Sequence, residues 1–195
     1  GWLVMELSPC MKFDKEQQDA LLQIALKSLR HGLQYGRPLQ PGPDDLREAF
    51  SEPAACFVTL HKDGLLRGCI GSMEATEPLA KAVAWAAFSA GFRDPRFPSL
   101  KSEEMENLAL EISILTPMQE IAVSSEQDLL DTLRPGIDGL LLEEQWRHAV
   151  YLPSVWQQLP EPSDFVRQLK MKAGWPADYW SDEMRARRFQ SQTIS

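Results

Sequence analysis

The chain has 195 residues, 44% of them hydrophobic and 25% charged, and a formal net charge of −8. This mixture fits one globular domain, or one with a smaller lobe, able to bury roughly 70% of its unfolded surface. The negative field opposes phosphate backbones and argues against nucleic acid, and no apolar run approaches the length of a membrane span.

Cys10, Cys56 and Cys69 show no CxxC spacing and are odd in number, which fits a reducing, cytoplasmic setting rather than a disulfide framework or zinc site. His31, His61 and His148 stand far apart without a metal-ligand pattern. No Rossmann or phosphate-loop fingerprint is present, so the sequence asks for no cofactor. Residues 1–11 read as an N-terminal extension before a domain running over 12–195, with Met11 as a candidate start.

Asp14 and Gln17 form a capping box for a helix carrying Leu21, Leu22, Ala25, Leu26 and Leu29 at helical spacing, ended by Gly32 and Gly36. The Pro- and Gly-rich stretch 37–45 is the best hinge candidate, though too short to separate independent domains. Residues 55–71 read as a β-hairpin with two competing registers. A two-residue Asp63-Gly64 turn would set Leu60 against Arg67, mixing a charge into an apolar face. A three-residue loop over Lys62, Asp63 and Gly64 sets Leu60 against Leu66, Val58 against Gly68 and Cys56 against Ile70, keeping one face apolar; this register is preferred.

Thr76 caps the next helix, with Pro78 in its first turn; residues 79–90 are almost wholly apolar, and Trp85 and Phe88 read as core. Residues 91–100 form a Pro-broken loop, and 108–115 alternate as a half-buried strand that places Glu111 beside Ser113. Ser125 and Asp128 open a helix through Leu133; 139–144 and 148–153 form a second hairpin; 154–159 is a short helix. Ser163 starts a longer helix closed by Gly174, and 185–194 is a closing strand. The fold class is α+β: mixed, largely antiparallel sheets with flanking helices.

Three features are candidates for chemistry. In Leu66-Arg67-Gly68-Cys69-Ile70-Gly71, two glycines flank a cysteine in an extended run, which marks close approach by a ligand or another backbone. Arg67 and Cys69 fall on one face by alternation, and a nearby guanidinium favours the reactive thiolate. Against this, a free cysteine often acts as a small buried hydrophobe. A dyad with His61 is disfavoured, because the chosen register separates the two by four rows, roughly 13 Å. Arg93, Asp94 and Arg96 form either an anion clamp or a loop locked by an Arg–Asp pair, the latter favoured. Glu111 is a candidate acid or base, or a structural partner for Arg67 or Arg93. Lys170 and Lys172 complement a helix dipole.

Six segments, 66–72, 94–100, 108–117, 136–143, 150–160 and 169–174, occur in an order that resembles the AMMECR domain family, known in bacteria and archaea as protein A of the AmmeMemoRadiSam system. The resemblance runs from about residue 13 to the C-terminus. It implies an α+β fold of a larger and a smaller subdomain with a cleft between, and functional association with a Memo-type protein and a radical SAM protein; no settled reaction comes with it. The family signature falls on Leu66–Gly71, and Asp138 stands where many relatives have histidine.

Three functions compete on these residues. A binding module would use this face to recognise a small anionic ligand or a partner enzyme through Arg67, Gly68, Gly71, Arg93, Asp94 and Arg96. An enzyme would use Cys69 as nucleophile or redox thiol, Arg67 and Arg96 to hold an anion, and Glu111 as acid or base. A nucleic-acid binder would rest on Arg185, Arg187, Arg188 and Phe189 alone. The first is preferred.

Overall fold

The structure is a computed structural model that describes residues 12–195; the extension, Met11 as a start and Cys10 lie outside the described residues. The chain divides into two compact units, one of residues through Thr116 plus Gln192–Ser195, the other Pro117–Ser191. The boundaries fall at neither end of the 37–45 loop, the expected hinge. That loop is fastened inside the first unit, where the Leu39 backbone N–H donates to Ser28 Oγ (3.2 Å) and Lys27 lies 3.9 Å from Asp45. No described helix is long and apolar enough to cross a membrane.

In the first unit, helix α1 (Lys15–Tyr35) starts at the expected capping box: Gln17 N donates to Asp14 Oδ1 (2.9 Å) and Asp14 N to Gln17 Oε1 (3.0 Å). It ends at Gly36, whose φ of 69° suits glycine. Gly32 does not end it. A side chain there would overlap the Phe88 and Phe92 rings, so Gly32 lets α1 approach the helix that carries them. A short helix α2 (Glu48–Ser51), unforeseen in the sequence, buries Phe50.

Strands β1 (Ala55–Lys62) and β2 (Leu65–Ser72) form the hairpin in a register that corrects the expectation. Asp63 (φ 51°) and Gly64 (φ 79°) make the two-residue left-handed turn that strand twist favours, pairing Lys62 with Leu65 and His61 with Leu66. The pairing then shifts, so that Leu60 faces Gly68, Thr59 faces Cys69 and Val58 faces Ile70. Arg67 is the extra residue of this bulge. The bulge removes the objection to the short turn, because the charge leaves the ladder instead of facing Leu60. Cys56, Val58 and Leu60 are buried as expected, but Leu66, which precedes the shift, is exposed.

Helix α3 (Leu79–Phe92) begins after Pro78 without a side-chain cap, so Thr76 does not cap it. Most of its surface is buried, Phe88 included; Trp85, one turn beyond Lys81 on the outward stripe, is 40% exposed and not core. Strand β3 (Leu108–Leu115) pairs antiparallel with β1, and Ile112–Leu115 are buried on both faces rather than one.

The second unit holds β4 (Gln119–Ile121), α4 (Glu126–Thr132), β5 (Gly139–Glu144), β6 (Arg147–Tyr151), α5 (Pro162–Ala173) and β7 (Arg185–Phe189), with the sheet in the order β4-β7-β5-β6. Ser125 caps α4 as expected, whereas α5 starts at Pro162 after Glu161, not at Ser163. The core stacks Trp156 on Phe165, rings 3.8 Å apart and within 4° of parallel. Lys170 is not a solvated complement to the α5 dipole. It is fully buried, with its ammonium bonded to Glu126 and to the Tyr179 carbonyl. The expected closing strand is two: β7 belongs here, and β8 (Ser191–Ile194) completes the first sheet in the order β2-β1-β3-β8.

Gly68 tests this packing. A Cβ there would lie 2.0 Å from the Ala90 carbonyl oxygen, which is backbone and cannot yield. Gly68→Ala is expected to cost about 2 kcal/mol or more in denaturant unfolding; an unchanged midpoint would show that β2 does not press on α3.

Candidate functional site

The bulge decides which side chains meet. Beyond it, Cys69 on β2, Thr59 on β1 and Glu111 on β3 stand in one register row, all three half-buried. Cys69 Sγ lies 3.3 Å from Thr59 Oγ1. His61 is two positions along β1 from Thr59, roughly 7 Å, much nearer than the four rows expected, because the shorter turn and the bulge each move the pairing by one residue. It makes no hydrogen bond to the thiol among the described residues.

Asp94 ties this row to the loop after α3. Its carboxylate accepts the Cys69 backbone N–H (3.0 Å), the Arg96 backbone N–H (3.1 Å), Arg96 Nε (3.0 Å) and Arg96 Nη2 (2.8 Å). The Arg96 side chain, opposed by burial but helped by the two backbone N–H groups, holds the Asp94 carboxyl far below the usual range, and Asp94 raises Arg96 in turn. The Arg96 side chain is 56% exposed, and its guanidinium is held by the same carboxylate that accepts the Cys69 backbone N–H.

Arg67 does not play the part expected of it. Its Nε donates to Glu104 Oε1 (2.9 Å) and its Nη2 to Glu104 Oε2 (3.1 Å) and the Pro98 carbonyl (2.8 Å), so the guanidinium is a buried tie between β2 and the loop before β3. The arginine linked to Cys69 is Arg96, through the Asp94 carboxylate. The pair holds Glu104 down from an ordinary 4.5 to about 2, chiefly through the Arg67 hydrogen bonds. Gly68 and Gly71 are not openings for a ligand: the space beside Gly68 is taken by α3 and that beside Gly71 by Cys56 and Phe57 of β1. Arg93 lies exposed with its guanidinium 4.9 Å from the Phe88 ring centroid. Glu111 pairs with neither Arg67 nor Arg93, and its carboxylate has no partner among the described residues.

Sequence reasoning missed Thr59 and Glu104. Thr59 becomes visible only once the register is known, and Glu104 sits in an acidic run, 102–107, that looks like any solvated turn. In the second unit, Asp138 is buried and binds Arg134 (Nη2, 2.7 Å), a structural role that needs no imidazole. Each arginine of the basic cluster has an acidic neighbour: Arg185 pairs with Glu120, Arg187 with Glu143, and Arg188 lies 3.9 Å from Asp138, which it shares with Arg134. No group of three or more His, Cys, Asp or Glu side chains able to hold a metal occurs among the described residues.

These observations define an α+β protein of two sheet-based units whose signature strand carries a cysteine between glycines that serve packing. The AMMECR1 family pattern matches residues 22–194, and the chain belongs to that family. A protein of Methanothermobacter thermautotrophicus is 38% identical over 91% of this chain and 93% of its own length. Protein MJ0810 of Methanocaldococcus jannaschii is 40% identical over 74% of each chain. The crystal structure of protein PH0010 from Pyrococcus horikoshii is similar with a TM-score of 0.86 and 30% identity, over 93% of this chain and 92% of that one.

The Arg67–Glu104 pair predicts an acid dependence. Because the folded value of Glu104 is depressed, its contribution is complete above about pH 4.5 and is lost as pH falls through about 2. Glu104→Gln is expected to cost about 3 kcal/mol at neutral pH, by leaving a buried guanidinium uncompensated, and to flatten the acid loss. Denaturant unfolding at neutral pH and across the acid window measures both effects; an unaltered acid slope would mean the pair does not form.

Proposed function

We propose that the Cys69 face of the first unit is a recognition surface: in the cytoplasm, it binds a small polar ligand in the service of a partner enzyme of Memo or radical SAM type. The observation that carries this reading is Glu111, a half-buried carboxylate with no described partner, in register with Thr59 and Cys69. A carboxylate that no side chain of the fold engages is open to a donor from outside it. Arg96 offers a cation on the Cys69 side of the row, so a ligand with an anionic group at Arg96 and a hydrogen-bond donor at Glu111 is complementary to both. The partner of the thiol is a hydroxyl, not an imidazole or carboxylate, which favours recognition over nucleophilic chemistry.

A second reading draws on Arg96: a cation tied through Asp94 to the Cys69 backbone suits a nucleophilic or redox thiol acting on an anionic substrate, with Glu111 as acid or base.

Variants separate the two. In pull-downs with Memo-type and radical SAM proteins, Cys69→Ser is expected to keep binding, while Arg96→Ala and Glu111→Gln weaken it about tenfold or more. Alkylation of Cys69 by iodoacetamide is expected to run no faster than a free-thiol control. Loss of binding in Cys69→Ser with fast, selective alkylation moves the assignment to the enzyme. Undiminished binding in all three variants would remove this face from function.

A further inference from the structure

The β5–β6 hairpin turns through Gln145 and Trp146, since Glu144 and Arg147 are still paired in the ladder. Gln145 takes a φ of 54°, a left-handed conformation that hairpin turns usually give to asparagine or glycine. Trp146 is 76% exposed, although tryptophan is a large apolar side chain that folds normally bury. Neither residue serves the turn, so a reason for them lies beyond it.

Beside the turn is a cavity of about 410 Å³ lined by Glu144, Gln145, Trp146, Arg147, Trp175, Pro176 and Tyr179. Three of these seven residues are aromatic. The Trp175 and Tyr179 rings lie within 7° of parallel with centroids 6.1 Å apart, and the Arg147 guanidinium sits 4.9 Å from the Trp146 centroid. A ligand cation would have to compete with Arg147 for Trp146. It would find little help from Glu144, whose carboxylate already takes the Tyr179 hydroxyl (2.9 and 3.0 Å) and Ser181 Oγ (3.0 Å). Arg147 Nη1 donates to the Gly174 carbonyl (2.9 Å).

What stays uncommitted among the described residues is mostly donors: the indole N–H groups of Trp146 and Trp175 and the rest of the Arg147 fork, with the exposed Gln145 carboxamide, both donor and acceptor, beside them. The matching ligand brings apolar rings and carbonyl acceptors, no donors that burial would strand, and no net charge against the balanced Glu144 and Arg147. Successive prolines meet each condition, for proline has a ring and a carbonyl but no N–H. They are also extended before binding, which lowers the cost of ordering them.

We propose that this pocket of the second unit docks a proline-rich segment of a partner protein, with Trp146 as its anchor. The test is a ¹⁵N NMR titration of the full chain with an end-blocked decaproline peptide, and an end-blocked Gly-Ser peptide of the same length as control. The Trp146 and Trp175 indole signals are expected to shift and saturate with decaproline only. Trp146→Ala is expected to weaken binding about tenfold or more, and Trp146→Phe, which keeps an aromatic face, to recover part of it. The proposal is overturned by unmoved indole signals at about millimolar decaproline in folded protein, by equal shifts with the Gly-Ser peptide, or by undiminished binding in Trp146→Ala. It is equally overturned if adenosine, a planar probe, saturates these signals while decaproline does not.

Discussion

The extra residue at Arg67 fixes the first unit. Without it, the short Asp63-Gly64 turn would hold Arg67 opposite Leu60 and offset every later pair by one. With it, the guanidinium turns to Glu104 and Pro98, Gly68 comes under the Ala90 carbonyl, and Cys69 comes level with Thr59. A buried ion pair of this kind contributes little net stability, since desolvation offsets most of its attraction. Its effect is on register: the alternative pairings would leave a charge buried without its partner.

Asp94 extends the same order to the loop after α3. One carboxylate accepts four N–H groups from two residues and so fixes the backbone of Cys69 relative to the guanidinium of Arg96. The Arg–Asp pair therefore locks its loop and also sets the surroundings of the thiol; the structural and functional readings of the 93–96 segment are not exclusive.

Local chemistry was legible in the sequence and long-range geometry was not. The capping box at Asp14, the Ser125 cap and the Gly174 terminus each depend on neighbours a few residues apart, and each is present; 108–115 is a strand as its pattern implies, but its second half is buried on both faces, which only the packing around it decides. The hairpin register is not legible locally, because two turns are acceptable and no neighbouring residue marks the bulge that reconciles them. Trp85 was misplaced because an apolar helix gives no sign of which stripe lacks a neighbour, and Lys170 because an ammonium near a helix end looks the same whether water or Glu126 receives it. Of the candidate site, the signature strand and Asp94 were visible; the row through Thr59 and the exchange of Arg67 for Arg96 required the fold.

The division of the last strands between the two sheets bears on how the chain is made. With Gln190 alone separating β7 from β8, the first sheet receives its fourth strand only after the whole second unit has been translated, and Ile194 is part of the first unit's core. Until then the β3 edge that β8 covers has no partner strand to close it. The unit whose residues are made first cannot be completed until the chain's last strand has been made.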